Sequence, residues 1–390
     1  MATCDLGAAQ ARRRGRVVMR VAGSKVWASL SAYESTELVR RFSKERIGPE
    51  INATKAREIA AYFAQGREYF RNAAGAGELV RPLILYYGAV ALARGTVLFL
   101  DASKSKVVAD HGLDGSGWDD LNAKPGAVPE LPVKIKGGGT FPELARVSGN
   151  SEWCTVRNEG MPGEVTVRSP GPELAPGTGV TMKEALGQIP DVADLYERTF
   201  GEHSRRLRCE VQVTGLPEPD LVDAFTRNAV ASDQEVRRHA WLGVVPTQAG
   251  LPDKDWVANI LGNRVAARDS GPNLLYFARE PVHRVAESHS FDLYYDAGTE
   301  ERPRLDMPVS VAASGEEYLK LPTDGRVILS TLLALHTVAY AAGVLVRYHP
   351  GYWAAIVGRT KGDSIAPVLS AAVSTVEERY PLLILEVLEG

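Results

Sequence analysis

One stretch constrains this 390-residue chain more than any other: RVILSTLLALHTVAYAAGVLVRYHPGYWAAIVG, residues 326–358. From Val327 to Val346 no side chain is charged, and His336 is the only strongly polar one. As an α-helix that run is a rod ~30 Å long, apolar or small on nearly every side. Arg347, Tyr348 and His349 close it, and Pro350 interrupts the pattern. Such a helix must be covered all round, by protein or by lipid. Its length suits a membrane span, and Tyr348, Tyr352 and Trp353 would suit an interfacial belt. Against lipid stand Ser330, Thr331, His336, Thr337 and Tyr340, since an imidazole at mid-bilayer is costly. Gly343 and the alanines permit close approach of neighbouring helices. The expectation is a buried helix at the centre of a bundle, with no membrane partner.

Residues 53–94 supply a candidate cover, because they read as a helical hairpin. Its first arm carries Ile59, Tyr62, Phe63, Tyr69 and Phe70 at mostly helical spacing and ends in the glycines of AGAGE. The second arm, ELVRPLILYYGAVALARG, has proline early, where a first turn tolerates it, and is then nearly apolar all round. Two apolar helices far apart in sequence are most simply explained if they bury each other.

Around this pair the chain divides by texture. Residues 1–23 hold Arg12, Arg13, Arg14, Arg16 and Arg20 and read as a disordered basic arm. Helices of the bundle occupy 24–101, and a loop-rich connector with short helices occupies 102–205. Strands are expected at 132–136 and 164–168, and a helix, proline bend and helix near 182–201. An inserted α+β subdomain is expected at 206–325, with strands at 207–213, 273–280, 291–297 and near 307–313 and a helix at 221–229. Residues 326–390 complete the bundle, ending in an amphipathic helix followed by the apolar segment PLLILEVL. The fold class is thus α+β and predominantly helical.

Bulk chemistry excludes several roles. A net charge of −3 and a pI near 6.2 give no global attraction for nucleic acid, so any such binding needs a local patch. Three scattered cysteines, Cys4, Cys154 and Cys209, cannot frame a disulfide scaffold or a zinc site. The opening residues show no apolar signal core, and a cytoplasmic location is expected.

Local motifs are weak. KIKGGGTF (134–141) lacks the spacing of a phosphate-cradling loop and reads as a turn. HGLDGSGWDD (111–120) groups His111 with Asp114, Asp119 and Asp120 but lacks EF-hand spacing, so no metal and no cofactor are expected. Arg198 with His203 and Arg284 with His289 match the arginine-histidine spacing of metal-independent RNases, yet a chain with seven histidines and many arginines yields such pairs by chance. His336 is more informative. Tyr340 and Arg347, four and eleven residues on, project from nearly the same side of the helix. A buried imidazole, phenol and guanidinium need partners, and Arg81, Tyr86 and Tyr87 on the other apolar helix are candidates. Two readings follow. In one, His336 is an acid/base and Arg347 an anion clamp in a nucleotide or RNA pocket, with Arg81, Tyr86, Tyr87, Tyr340, Tyr348 and His349 as binding residues. In the other, the same residues form a satisfied core network in a non-catalytic scaffold.

RPLILYYGAVALARG (81–95) and HTVAYAAGVLVRYHPGYW…RYPLLILEVL (336–388) resemble the YaaC-like family of bacterial proteins. Lesser agreements are Trp27, HGL at 111–113, the phenylalanine of GGTF and IPDVADLY at 189–196. The resemblance carries no assigned activity. It implies a bundle similar to HEPN-type proteins, common among RNA-cleaving and phage-defence proteins, and by that analogy a homodimer through helical faces. The HEPN signature places arginine before histidine. Here His336 precedes Arg347, which puts RNase chemistry in question.

Overall fold

A computed structural model describes residues 14–17, 24–48, 50–107, 109–115, 118, 127–158, 164–169, 171–214, 239–246, 293–296, 309–321, 323, 327–360 and 363–389. The strand expected at 273–280 and the helix at 221–229 lie outside them. Ten α-helices dominate the described residues: α1 (Ser24–Ser31), α2 (Thr36–Arg46), α3 (Ala53–Ala74), α4 (Arg81–Leu100), α5 (Thr140–Ser148), α6 (Met182–Leu186), α7 (Ala193–Phe200), α8 (Thr331–Tyr348), α9 (Pro350–Val357) and α10 (Ala366–Glu389). The protein is α+β and predominantly helical. It divides into two compact units, one of residues 1–18, 154–167 and 209–306, the other of 19–153, 168–208 and 307–390.

The first unit is built on an antiparallel sheet. β1 (Arg14–Val17) pairs with β4 (Glu152–Asn158) through Arg16↔Arg157, and with β7 (Arg206–Thr214) through Gly15↔Val213. β7 pairs with β8 (His239–Pro246), and β8 with β9 (Leu293–Asp296). Four residues of the segment expected to be a disordered arm are therefore strand, because strands on both sides take their backbone hydrogen bonds.

The second unit holds the ten helices of the described residues. α3 and α4 form the expected hairpin: Asn52 caps α3 by accepting from the Lys55 amide at 2.8 Å, and Pro82 lies in the first turn of α4. α4 and α8 pack directly on each other, and α10 lies against both. These two helices are long and apolar enough to cross a bilayer, but 72% and 83% of their most apolar windows are buried within the protein. α3, α8 and α10 together cover α4, and α4 and α10 cover α8, which is why neither needs an amphipathic pattern. Close approach depends on Gly343: a Cβ there would lie 3.2 Å from the Tyr86 side chain.

α10 extends further than the amphipathic helix expected, because one helix runs through Pro381 and takes in the apolar segment PLLILEVL. Proline removes one hydrogen-bond donor, but Tyr380, Leu382, Leu383 and Ile384 are all buried beside it. Packing on both sides of the proline outweighs the lost bond.

Around the bundle stand a sheet of β2 (Leu113–Asp114), β3 (Pro132–Ile135) and β6 (Gly179–Thr181), and a hairpin of β10 (Val309–Val311) and β11 (Glu317–Lys320). β3 and β10 match their expected positions, as do β5 (Glu164–Ser169), β7 and β9. The helix–proline–helix reading near 182–201 is also met, by α6, a 3-10 turn at Pro190–Val192, and α7.

The start of α8 is held entirely by side chains. Asn150 Oδ1 accepts from the Ser330 amide at 2.6 Å, and Gln188 Oε1 from the Leu329 amide at 2.7 Å. Ser330 caps the helix by accepting from the Leu333 amide at 3.3 Å. Glu152 Oε1 accepts from both the amide and the hydroxyl of Thr331, at 2.6 and 2.9 Å. A carboxylate is favourable there because the first helical amides and the helix dipole both present positive charge.

Candidate functional site

Helix α4 turns Tyr86 inward and Tyr87 outward, and α8 places His336 and Tyr340 against Tyr86. The Tyr86 ring meets His336 edge-on with centroids 6.0 Å apart, and Tyr340 edge-on at 5.6 Å. A residue unforeseen as a site member, His111, completes the group, with its ring 5.3 Å from Tyr86 and 6.3 Å from Tyr340. Phe141 at the start of α5 packs 5.7 Å from His336.

Two loops position His111 and Phe141. The Phe141 amide donates to the His111 carbonyl at 3.0 Å, and the Thr140 amide to the Asp110 carbonyl at 2.9 Å. Asp110 accepts from the Gly112 amide at 2.7 Å and pairs with Lys136 at 2.9 Å. These contacts hold its carboxyl below the usual range, the amide bond more than the lysine. Gly139 sits in the left-handed region at φ +115°, and a Cβ on it would meet the Gly112 nitrogen at 2.5 Å. The segment HGL and the segment GGGTF are therefore one knitted unit, with only glycine able to fill the crossing.

His336 is fully buried, and its Nδ1 lies 2.7 Å from the Tyr380 hydroxyl. Tyr380 has a proton to place, and Nδ1 as acceptor leaves fewer orphaned groups than Nδ1 as donor. His336 then carries its proton on Nε2, which has no protein partner. Burial pushes the His336 pKa down to about 3, with His111 adding to the effect. Burial also raises the Tyr86, Tyr340 and Tyr380 hydroxyls. At neutral pH the interior is a set of uncharged rings, and His336 stays neutral with its single proton on Nε2. The buried Tyr86 hydroxyl and His111 Nδ1 likewise lack protein partners.

At its outer edge the cluster becomes charged. His111 is half-buried, and burial lowers its pKa first. Arg94, Arg347 and Lys136 lower it further, and Asp110 opposes them. Arg94 donates to the Ala109 carbonyl at 2.6 Å and to Thr140 Oγ1 at 3.1 Å. Arg347 donates to the Tyr87 hydroxyl at 2.9 Å, and its guanidinium lies 5.1 Å over the Tyr348 ring. Neither arginine has a carboxylate partner among the described residues.

The sequence-derived residues thus fall into three places. His336, Tyr86 and Tyr340 come together as expected. Arg347, Tyr87 and Tyr348 gather at the surface; eleven residues of helix put Arg347 ~16 Å along α8 from His336, too far for one pocket. His349 joins α8 to α9, its amide donating to Leu345 and its carbonyl accepting from Trp353. Arg81 departs from the group altogether, because Glu377 captures it, with Nε 2.9 Å from the carboxylate. Of the RNase-like pairs, His203 instead lies 3.4 Å from Glu197, and Arg284 and His289 fall outside the described residues. Asp119 and Asp120 do so too. Among the described residues no three His, Cys, Asp or Glu side chains are grouped to hold a metal ion.

The signal for His111 was present in HGL and GGTF, both of which belong to the family resemblance; what the sequence hid was that the two touch. The profile of a family described as YaaC-like Protein matches residues 31–388, nearly the whole chain. No curated protein and no solved structure matches.

Proposed function

This chain belongs to the YaaC-like family, and on that premise we propose that it binds a phosphate-bearing ligand, RNA or a nucleotide, at the His111 edge. One observation carries the reading: Arg94 and Arg347 both bear on His111, and no carboxylate among the described residues neutralises either. Guanidinium groups with free donors favour phosphate, since the planar fork matches its oxygens. Beside them Tyr348 is 62% exposed, an unusual position for a large ring. A ring backed by a guanidinium gives a base a face to stack on. In this reading the bundle is HEPN-like, the protein is cytoplasmic, and copies pair through helical faces.

His336 takes a supporting role here. A fully buried imidazole with a pKa near 3 is poorly suited to moving protons for a substrate at neutral pH. We therefore place binding, and not cleavage, at the centre of the proposal.

The test is fluorescence anisotropy of a labelled single-stranded RNA, with ATP and GTP as competitors. Wild type should bind at least one of the three, and Arg347→Ala and Arg94→Ala should each weaken binding about tenfold or more. His336→Gln, if folded, should leave it within about twofold. Failure of the wild type to bind any of them would sink the proposal and leave the scaffold reading.

A further inference from the structure

A second site lies elsewhere in the helical unit. A cavity of about 640 Å³ opens among α1, α3 and α10 and shares no lining residue with the His111 edge. Its size is that of a small-molecule site. Val26, Trp27 and Ala74 give it apolar surface, and the buried Phe70 backs them, its ring 5.5 Å from that of Trp27.

The two main walls carry opposite charge. On α3, Arg67 and Arg71 are one turn apart and share a face; on α10, Glu377 and Glu378 are adjacent and Pro381 stands one turn on. Opposite charges at contact distance pair, yet neither arginine pairs with either glutamate. Arg67 pairs instead with Glu34 at 2.7 Å, Arg71 with Glu68, and Glu377 with Arg81, and none of these three partners lines the cavity. Each wall also keeps an open group. Arg67 Nε is buried and has no hydrogen-bond partner. Glu378 is exposed and has no ion-pair partner among the described residues. Beside it the Glu377 carbonyl loses its usual helical donor, because Pro381 has no N–H. One wall thus offers donors, the other acceptors, and no side chain of the protein bridges them. A ligand with a single charge satisfies one wall and leaves the other unmet; a ligand with both charges satisfies each.

We propose that this cavity binds a zwitterion, its carboxylate directed to the Arg67–Arg71 wall, its ammonium to Glu378 and its apolar body against Trp27. That chemistry is available from a free α-amino acid or from a short peptide, whose two termini carry the same pair of charges. The planar guanidinium fork suits the carboxylate, and the carboxylate and carbonyl of α10 suit the ammonium.

Calorimetric titration of the full chain tests this, with L-phenylalanine and alanyl-phenylalanine as zwitterions. Phenethylamine and N-acetyl-phenylalanine serve as analogues that keep one charge each. At least one zwitterion should bind the wild type, and each analogue should bind about tenfold more weakly or worse. Arg71→Gln and Glu378→Gln alter exposed side chains and should each weaken the zwitterion about tenfold. Glu378→Gln should not weaken N-acetyl-phenylalanine, and Arg71→Gln should not weaken phenethylamine, because each analogue lacks the charge that the altered residue would meet. Tighter binding of L-phenylalanine assigns the site to a free amino acid, and tighter binding of alanyl-phenylalanine assigns it to a peptide. No binding of either zwitterion, an analogue that binds as tightly, or wild-type affinity in both variants overturns the proposal.

Discussion

His336 and Tyr380 are joined by a buried 2.7 Å hydrogen bond between residues 44 apart, and the bond ties α8 to α10. Both residues are fully buried, so no water replaces either partner. His336→Ala removes the bond and opens a cavity, and should destabilise the fold by about 2–5 kcal/mol. Tyr380→Phe strands only the imidazole nitrogen and should cost about 1–3 kcal/mol. Urea denaturation reads both. A double mutant that loses less than the sum of the two would show the coupling; wild-type midpoints in both single variants would show that no such tie exists.

Acid should find the same residue. His336 has an ordinary pKa of 6.5 and a folded value of about 3. Below pH 6.5 the unfolded chain takes up a proton that the folded chain refuses. The stabilisation is therefore complete above 6.5 and is lost progressively as pH falls towards 3. The slope should approach about 1.4 kcal/mol per pH unit from this group alone. His336→Gln should flatten the limb between pH 6 and 4 relative to wild type. Unchanged curvature in that variant would place the acid sensitivity elsewhere.

Tyr86 offers the opposite sign. Its buried hydroxyl has no protein partner, so Tyr86→Phe should be neutral or stabilising by up to about 1 kcal/mol. Gly343→Ala presses a methyl against the same side chain at 3.2 Å and should destabilise by about 1–3 kcal/mol. Thermal melts of the two variants should move apart. A clear loss in Tyr86→Phe would reveal a partner for the hydroxyl.

Glu152 faces two buried cations. Lys320 Nζ is 3.9 Å from its carboxylate, and Arg206, lowered by burial to about 10 and still charged, feels it as its main counter-charge. Glu152→Ala removes that counter-charge and the acceptor for Thr331 at once, and should cost about 3–5 kcal/mol. Glu152→Gln keeps an acceptor and should cost less. Equal melting temperatures for the two variants would mean that the charge alone matters.

Legibility followed the physics. The α4–α8 pairing could be read because an apolar helix without a polar face has few ways to be covered, and Tyr86, His336 and Tyr340 came with it. The start of α4 followed from Pro82, whereas the caps at Asn52 and Ser330 emerge only in the structure. What could not be read were contacts set by tertiary position. Glu377 takes Arg81 across a separation of 296 residues, and no local pattern announces that. His111 meets Tyr86 only because two glycine turns cross. The continuation of α10 through Pro381 was hidden as well, because local rules count the lost hydrogen bond and not the packing around it.

The α4–α8 pairing has a consequence for how the protein is made. Tyr87 and Arg347 meet across 260 residues, so α4 leaves the ribosome long before its cover. At ordinary elongation rates the delay is on the order of tens of seconds. Throughout that interval the greasy cylinder has α3 along one side but lacks α8 and α10 on the others, a natural client for chaperones. Moving the final sixty or so residues ahead of α3 by circular permutation would close that window and make the nascent chain less prone to clump.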